Sequence, residues 1–156
     1  MPRIAVICGT GMSAFSSTLE TKTSTSGSML AESNWGEVPI SSVTLELGQV
    51  FVIDRHHSND ESRTPPHAIE HRANVHAASS CKPDLIVSVN SVGSMIESMP
   101  PGAVGIASDI LDLSIKPWTF HDDDAIHADR TRPFDHRYSS LCEAVLRERQ
   151  GPSPTG

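Results

Sequence analysis

Apolar residues along this chain fall into short runs separated by polar stretches marked by proline and glycine, the pattern of strands alternating with helices. Ile4-Ala5-Val6-Ile7-Cys8 is continuously apolar and closes on Gly9-Thr10-Gly11, which predicts a strand buried on both faces that ends in a tight loop. Residues 16–33 are rich in Ser and Thr without apolar periodicity, so a loop or a weak edge strand is expected there. Residues 43–47 alternate, Gly48-Gln49 turns, and Val50-Phe51-Val52-Ile53 returns, a hairpin that delivers Arg55 and His56 to a strand end. Residues 60–64 read as polar loop. Pro65-Pro66 suits a first helical turn, where a missing N–H costs nothing, and predicts a helix over about 67–79. Residues 84–89 form another buried strand, interrupted by Asn90-Ser91-Val92-Gly93. A turn at Pro100-Pro101-Gly102 leads to a short strand over 104–107. Residues 141–149 read as an amphipathic helix. Residues 1–149 are thus expected to form one α/β unit, with 150–156 as a disordered tail.

Composition narrows the function classes. A length of 156 residues with 37% hydrophobic content suits one domain with one core. Twelve Lys and Arg against 19 Asp and Glu give a net charge of -7, the wrong sign for a nucleic-acid coat, so any anion site has to be local. Cys8, Cys81 and Cys142 are far apart and form no C-x-x-C pair, which fits reduced thiols in a cytosol rather than a disulfide framework. No apolar run approaches the roughly 20 residues that span a bilayer, and a soluble protein without membrane contact is expected.

The polar residues that close the strands are the candidate chemistry. In open α/β sheets ligands collect beyond the carboxyl ends of strands, which lets Thr10, Arg55 and Asn90 converge although they lie far apart in sequence. Arg55 offers a fork of donors to an oxyanion, Thr10 a hydroxyl and an N–H, His56 a ring N–H, and Asn90 with Ser91 further donors. Arg55-His56 alone would be an ordinary solvated strand end; its company makes the difference. Gly9-Thr10-Gly11 is a poor dinucleotide fingerprint, because the third glycine position is Ala14 and a Ser-rich stretch follows. Arg72 and Asn74 read as structural, and His121-Asp122-Asp123-Asp124 as a solvated acidic loop. His67-Ala68-Ile69-Glu70-His71 has the form H-x-x-E-H. On one helix it would set two imidazoles beside a carboxylate, so a zinc hydrolase with Glu143 as third ligand is an alternative.

Together these segments carry a resemblance. Ile4 to Met12, Trp35-Gly36-Glu37-Val38-Pro39, Arg55-His56, Pro65-Pro66-His67, Arg72-Ala73-Asn74, Asn90-Ser91-Val92-Gly93-Ser94 and Pro101-Gly102 resemble, in order and spacing, the purine nucleoside phosphorylase family in its methylthioadenosine and methylthioinosine branch. Thr119-Phe120, His127 and Pro133-Phe134 continue the pattern, whereas Glu70-His71 stands where that family usually has Asn-Tyr. The resemblance implies an α/β fold with a mixed twisted sheet flanked by helices, and a pentosyltransferase of purine salvage. Inorganic phosphate is then the co-substrate, with no other cofactor and no metal. Positions Thr10, Arg55, His56, Asn90 and Ser91 would bind phosphate, and His127 would lie near a neighbouring subunit's site, which implies a homotrimer. No catalytic residue is assigned. In the family a later half supplies a Met sugar contact, another phosphate-binding hydroxyl and the Asp or Asn that handles the purine, and Gly156 comes before all of them. Base preference and the 5′ substituent of the sugar are therefore open. A positioned general acid is worth about 10²- to 10⁴-fold, so an impaired enzyme is one expectation and a non-catalytic homologue that occupies subunit positions is another.

Overall fold

The computed structural model describes residues 1–9, 12, 14–19, 24–58, 62–113 and 119–150. The chain divides into two units, Met1–Ser91 and Val92–Gly156. The first holds a mixed five-stranded sheet of β1 (Arg3–Cys8), β2 (Thr25–Ser33), β3 (Gly36–Leu45), β4 (Gly48–Asp54) and β5 (Leu85–Val89), in the order β2-β3-β4-β1-β5. Strands β4, β1 and β5 run parallel, while β2, β3 and β4 form an antiparallel meander. The expected fold class is found.

The continuous apolar run of β1 has its physical reason in this position, because a strand inside a parallel sheet is covered on both faces. Ala5 and Ile7 face α2 (His71–Ser80) together with Val38, Ile40, Phe51 and Ile53. Ala73, Ala77 and Ala78 of α2 are small enough to let the helix lie close on that face. Val6 and Cys8 point to the other side, where Val52 joins them and Phe15 and Leu19 of α1 (Phe15–Leu19) pack on top. Phe51 is only 1% exposed, a burial worth about 1.5–3 kcal/mol. At the opposite end of the sheet, Arg3 stacks 4.9 Å over the Phe51 ring and donates to the Cys81 carbonyl at 2.6 and 3.0 Å, tying β1 to the end of α2.

Several boundaries differ from the sequence expectation. Of the two options for residues 16–33, the edge strand is what forms at Thr25–Ser33, and α1 precedes it. Strand β3 begins at Gly36, well before the alternating stretch; Pro39 obscures the pattern. Its missing N–H is harmless, because β4 pairs only with residues 41–45 of β3. The helix expected over 67–79 is broken. Pro66–Ala68 forms one 3-10 turn, Ile69 is extended (φ -64°, ψ 127°), and α2 starts at His71 with Glu70 as N-cap. The Glu70 carboxylate accepts from the Arg72 backbone N–H at 3.1 Å, satisfying one of the donors a helix start leaves open.

In the second unit, Gly102 (φ +91°) closes a turn in which the Ala103 N–H donates to the Pro100 carbonyl at 3.0 Å. The short strand expected over 104–107 is absent: those residues have no ladder partner, and Val104 and Ile106 are exposed. Helix α3 (His136–Gln150) is longer than expected, because Asp135 caps it through the Tyr138 N–H at 3.0 Å. Among the described residues no helix is long and apolar enough to cross a membrane. Cys8, Cys81 and Cys142 are free thiols. Residues 151–156, expected to be disordered, lie outside the described residues.

Candidate active site

The register of the three parallel strands builds the site. Cys8 stands opposite both Asp54 and Val89, so the residues that follow them, Gly9, Arg55 and Asn90, leave the sheet side by side. The Arg55 backbone N–H donates to the Cys8 carbonyl at 2.9 Å, extending the ladder by one step. Arg55 Nη1 donates to Asn90 Oδ1 across the top of β1. Asn90 is held for that contact by its own amide, which donates to Ser88 Oγ at 3.3 Å. One N–H of the fork is thus taken by Asn90, and the remaining donors of the guanidinium suit an oxyanion.

The loop after β4 is clamped at its base. Asp54 Oδ1 accepts from the His56 backbone N–H at 2.9 Å, and its carboxylate pairs with Arg63 at 2.9 Å. The Thr64 N–H donates to the His56 carbonyl at 3.0 Å, while His56 Nδ1 lies 2.8 Å from the Thr64 carbonyl. His57 bridges the Asp54 and Glu37 carbonyls at 3.0 and 3.1 Å. His56 is consequently 7% exposed, a buried side chain and not a solvated strand end. Asp54, Arg63 and Thr64 hold the candidate ligands without being candidates themselves. The sequence signal that could have found them is a carboxylate two residues before a loop N–H, the spacing of an Asx turn.

Charge at the site is set by neighbours and burial. His71 at the start of α2 has its pKa lowered, first by burial and then by the positive charge of Arg55, with Glu70 opposing and His56 adding a smaller effect in the same direction as Arg55. The Cys8 thiol is pushed up by burial and by the Asp54 carboxylate, so it is a protonated packing group and no nucleophile. An open cavity of about 140 Å³ beside Arg55 is walled by Trp35, Glu37, His57, Ile69 and Glu70. That volume is well below the roughly 300 Å³ at which small-molecule pockets begin.

Strand ends, an arginine shared with Asn90 and a clamped loop thus meet at one corner of the sheet, on a chain of net charge -7. A sequence model described as the phosphorylase superfamily matches residues 3–156. The chain belongs to the phosphorylase superfamily. A probable S-methyl-5'-thioinosine phosphorylase of Methanosarcina acetivorans is 34% identical over 101 residues, covering 64% of this chain and 38% of that protein. A 6-oxopurine nucleoside phosphorylase of Pyrococcus furiosus is 31% identical over 143 residues, covering 86% of this chain and 51% of that protein. The chain thus spans about half, or less, of the length of these relatives. Among solved structures, methylthioadenosine phosphorylase from Schistosoma mansoni in complex with tubercidin shares the fold. Its TM-score is 0.75 at 19% identity, covering 96% of this chain and 53% of that one.

Of the residues singled out in this member of the superfamily, Arg55 and Asn90 are brought together, while His56 follows Arg55 in the chain with its ring against the Thr64 carbonyl. Ser91 follows Asn90 and is exposed at the end of the first unit. Thr10 lies outside the described residues, although its neighbour Gly9 packs against Arg55. His127 belongs to the second unit, in an exposed segment without regular structure. The H-x-x-E-H segment does not form the helical pair it suggested. His67 lies on the 3-10 turn, His71 opens α2, and Glu70 is occupied by capping and by Arg72 at 2.9 Å. Among the described residues no cluster of three metal-ligating side chains occurs. Asn74, read as structural, is 2% exposed and its amide donates to the Glu70 carbonyl at 3.4 Å.

Proposed function

We propose that this chain supplies the phosphate half of a purine nucleoside phosphorolysis site. The observation that carries the reading is the Arg55 guanidinium set between Gly9 and Asn90 at the carboxyl ends of three neighbouring parallel strands. In the reaction an oxygen of inorganic phosphate bonds to the anomeric carbon, the bond from that carbon to the purine nitrogen breaks, and its electron pair leaves with the purine, which takes up a proton. The sugar carries positive charge in the transition state, so a phosphate held against it both stabilises that charge and attacks.

Arg55, His56, Asn90, Ser91 and Thr10 are the phosphate ligands in this reading. The substrate is a purine nucleoside of the 5′-methylthioadenosine, methylthioinosine or inosine type, which accords with the names of the relatives. The chain acts in the cytoplasm within a homotrimer, where His127 approaches a neighbour's site; support for both is the family resemblance. The test is purine release from these nucleosides by the purified protein. Any release is expected to require phosphate, and release that persists without phosphate contradicts phosphorolysis.

A further inference from the structure

Asp54 is the last residue of β4 and stands directly before Arg55, so a negative charge sits one residue from the cation of the proposed anion site. In the sheet register Asp54 lies opposite Cys8, whose neighbour Gly9 packs against the Arg55 guanidinium. The Cys8 thiol feels all of these charges: after burial, the Asp54 carboxylate raises its pKa, whereas Arg55 and Arg63 lower it. Asp54, Arg55 and Arg63 therefore act in one electrostatic field at the carboxyl end of β1. An anion taken up by Arg55 enters that field, and a carboxylate left uncompensated there repels it.

Arg63 supplies the compensation. Its Nη1 lies 2.9 Å from Asp54 Oδ2 and its Nη2 donates to Asp54 Oδ1 at 2.9 Å, a fork on both carboxylate oxygens. The pair is partly exposed, and exposed pairs add little to folding. The neck of the loop also has bonds that need neither charge. The Thr64 N–H donates to the His56 carbonyl at 3.0 Å, the Thr64 hydroxyl to the His57 carbonyl at 2.6 Å, and the His56 N–H needs only an oxygen acceptor at position 54. We infer that Arg63 serves the anion site through Asp54: by holding that carboxylate in a fork, it cancels the charge that would otherwise oppose an anion at Arg55. Arg63 is thus a positioning residue, acting through Asp54 and not as a ligand. The inference rests on the phosphate-site reading and adds the residue that sets the field around the site.

Calorimetric titration of inorganic phosphate, at one pH and low ionic strength, tests it on the purified wild type, Arg63→Gln, Arg63→Lys, Asp54→Asn and the Asp54→Asn/Arg63→Gln double variant. Circular dichroism confirms the fold of each. Arg63→Gln is expected to weaken phosphate about threefold to tenfold, the size of one uncompensated charge near the surface. Arg63→Lys, which keeps the charge and loses the fork, should stay within about twofold of the wild type. Asp54→Asn keeps an acceptor for the His56 N–H and leaves Arg63 without its counter-charge, so phosphate should bind more tightly. The double variant should return close to the wild-type affinity, since the charge to be cancelled is gone. A clamp that acts by shape alone gives another pattern, in which both single variants weaken binding and the double is no better than either. That pattern, an Arg63→Gln affinity equal to wild type, or a loss in Arg63→Lys as large as in Arg63→Gln, overturns the inference and leaves the phosphate site standing. No saturable binding of phosphate to the folded wild type overturns both.

Discussion

The guanidinium of Arg55 occupies the space that a side chain at position 9 would fill. A Cβ built on Gly9 stands 2.5 Å from Arg55 Nη2 and 2.7 Å from its Cζ, closer than real contacts allow. Glycine is required there for the approach of a side chain, not for a special backbone angle. Gly9→Ala is expected to leave the fold intact, since the clash is with the far end of a flexible side chain, and to push Arg55 off Asn90. Losing charge-assisted hydrogen bonds worth about 1.5–3 kcal/mol corresponds to phosphate affinity about ten- to a hundredfold weaker. Unchanged affinity by calorimetry would show that the position of Arg55 does not matter.

Asn90 holds Arg55 through its carboxamide oxygen and is itself oriented by Ser88. Both are exposed, so Asn90→Ala is expected to weaken phosphate by about threefold to tenfold, in line with a hydrogen bond worth about 1 kcal/mol. Asn90→Asp would instead pair with Arg55 as a carboxylate and repel the anion, and should be the worse of the two. The order of the two variants in a competition titration decides the point.

Glu70 is the N-cap of α2 and the partner of Arg72. Glu70→Ala is expected to cost about 1 kcal/mol in urea unfolding, the usual worth of a cap, while Glu70→Asp should recover most of it. Equal stability of all three proteins would mean that the break between the 3-10 turn and α2 has another cause.

His71 gives the fold an acid-side dependence. Its pKa in the folded protein is lowered, so the unfolded chain binds more protons as pH falls through about 6.5, the ordinary histidine value. The contribution of His71 is fully present above that pH and is lost below it. Denaturant unfolding of wild type and His71→Gln from about pH 7.5 to 5 isolates the effect, with the wild type expected to lose ground to the variant on the acid side. A constant difference between the two would contradict it.

Much of this architecture is legible in short-range pattern. The apolar run at Ile4-Ala5-Val6-Ile7-Cys8 and the hairpin into Arg55 are strong local signals, and polar residues at three strand ends announce a site before any pairing is known. What stays hidden depends on register and tertiary contact. Nothing local says that Cys8 faces both Asp54 and Val89, which is what sets Gly9, Arg55 and Asn90 abreast. The early start of β3 is masked by Pro39, tolerable only because β4 does not reach it. The loop clamp is legible only in part: the spacing from Asp54 to His56 carries the signal of an Asx turn, while Arg63 and Thr64 read as loop polarity until their partners are known. The H-x-x-E-H spacing misled for the same reason: spacing implies a shared helical face only where one helix spans it, and Glu70 caps instead.

The most direct measurement is the binding of inorganic phosphate to the purified chain and to Arg55→Ala, each checked by circular dichroism for an intact fold. Saturable binding of one phosphate per chain, weakened at least about tenfold in Arg55→Ala, is the result this account predicts. Equal affinity in the two folded proteins, or no binding to the wild type, would contradict it.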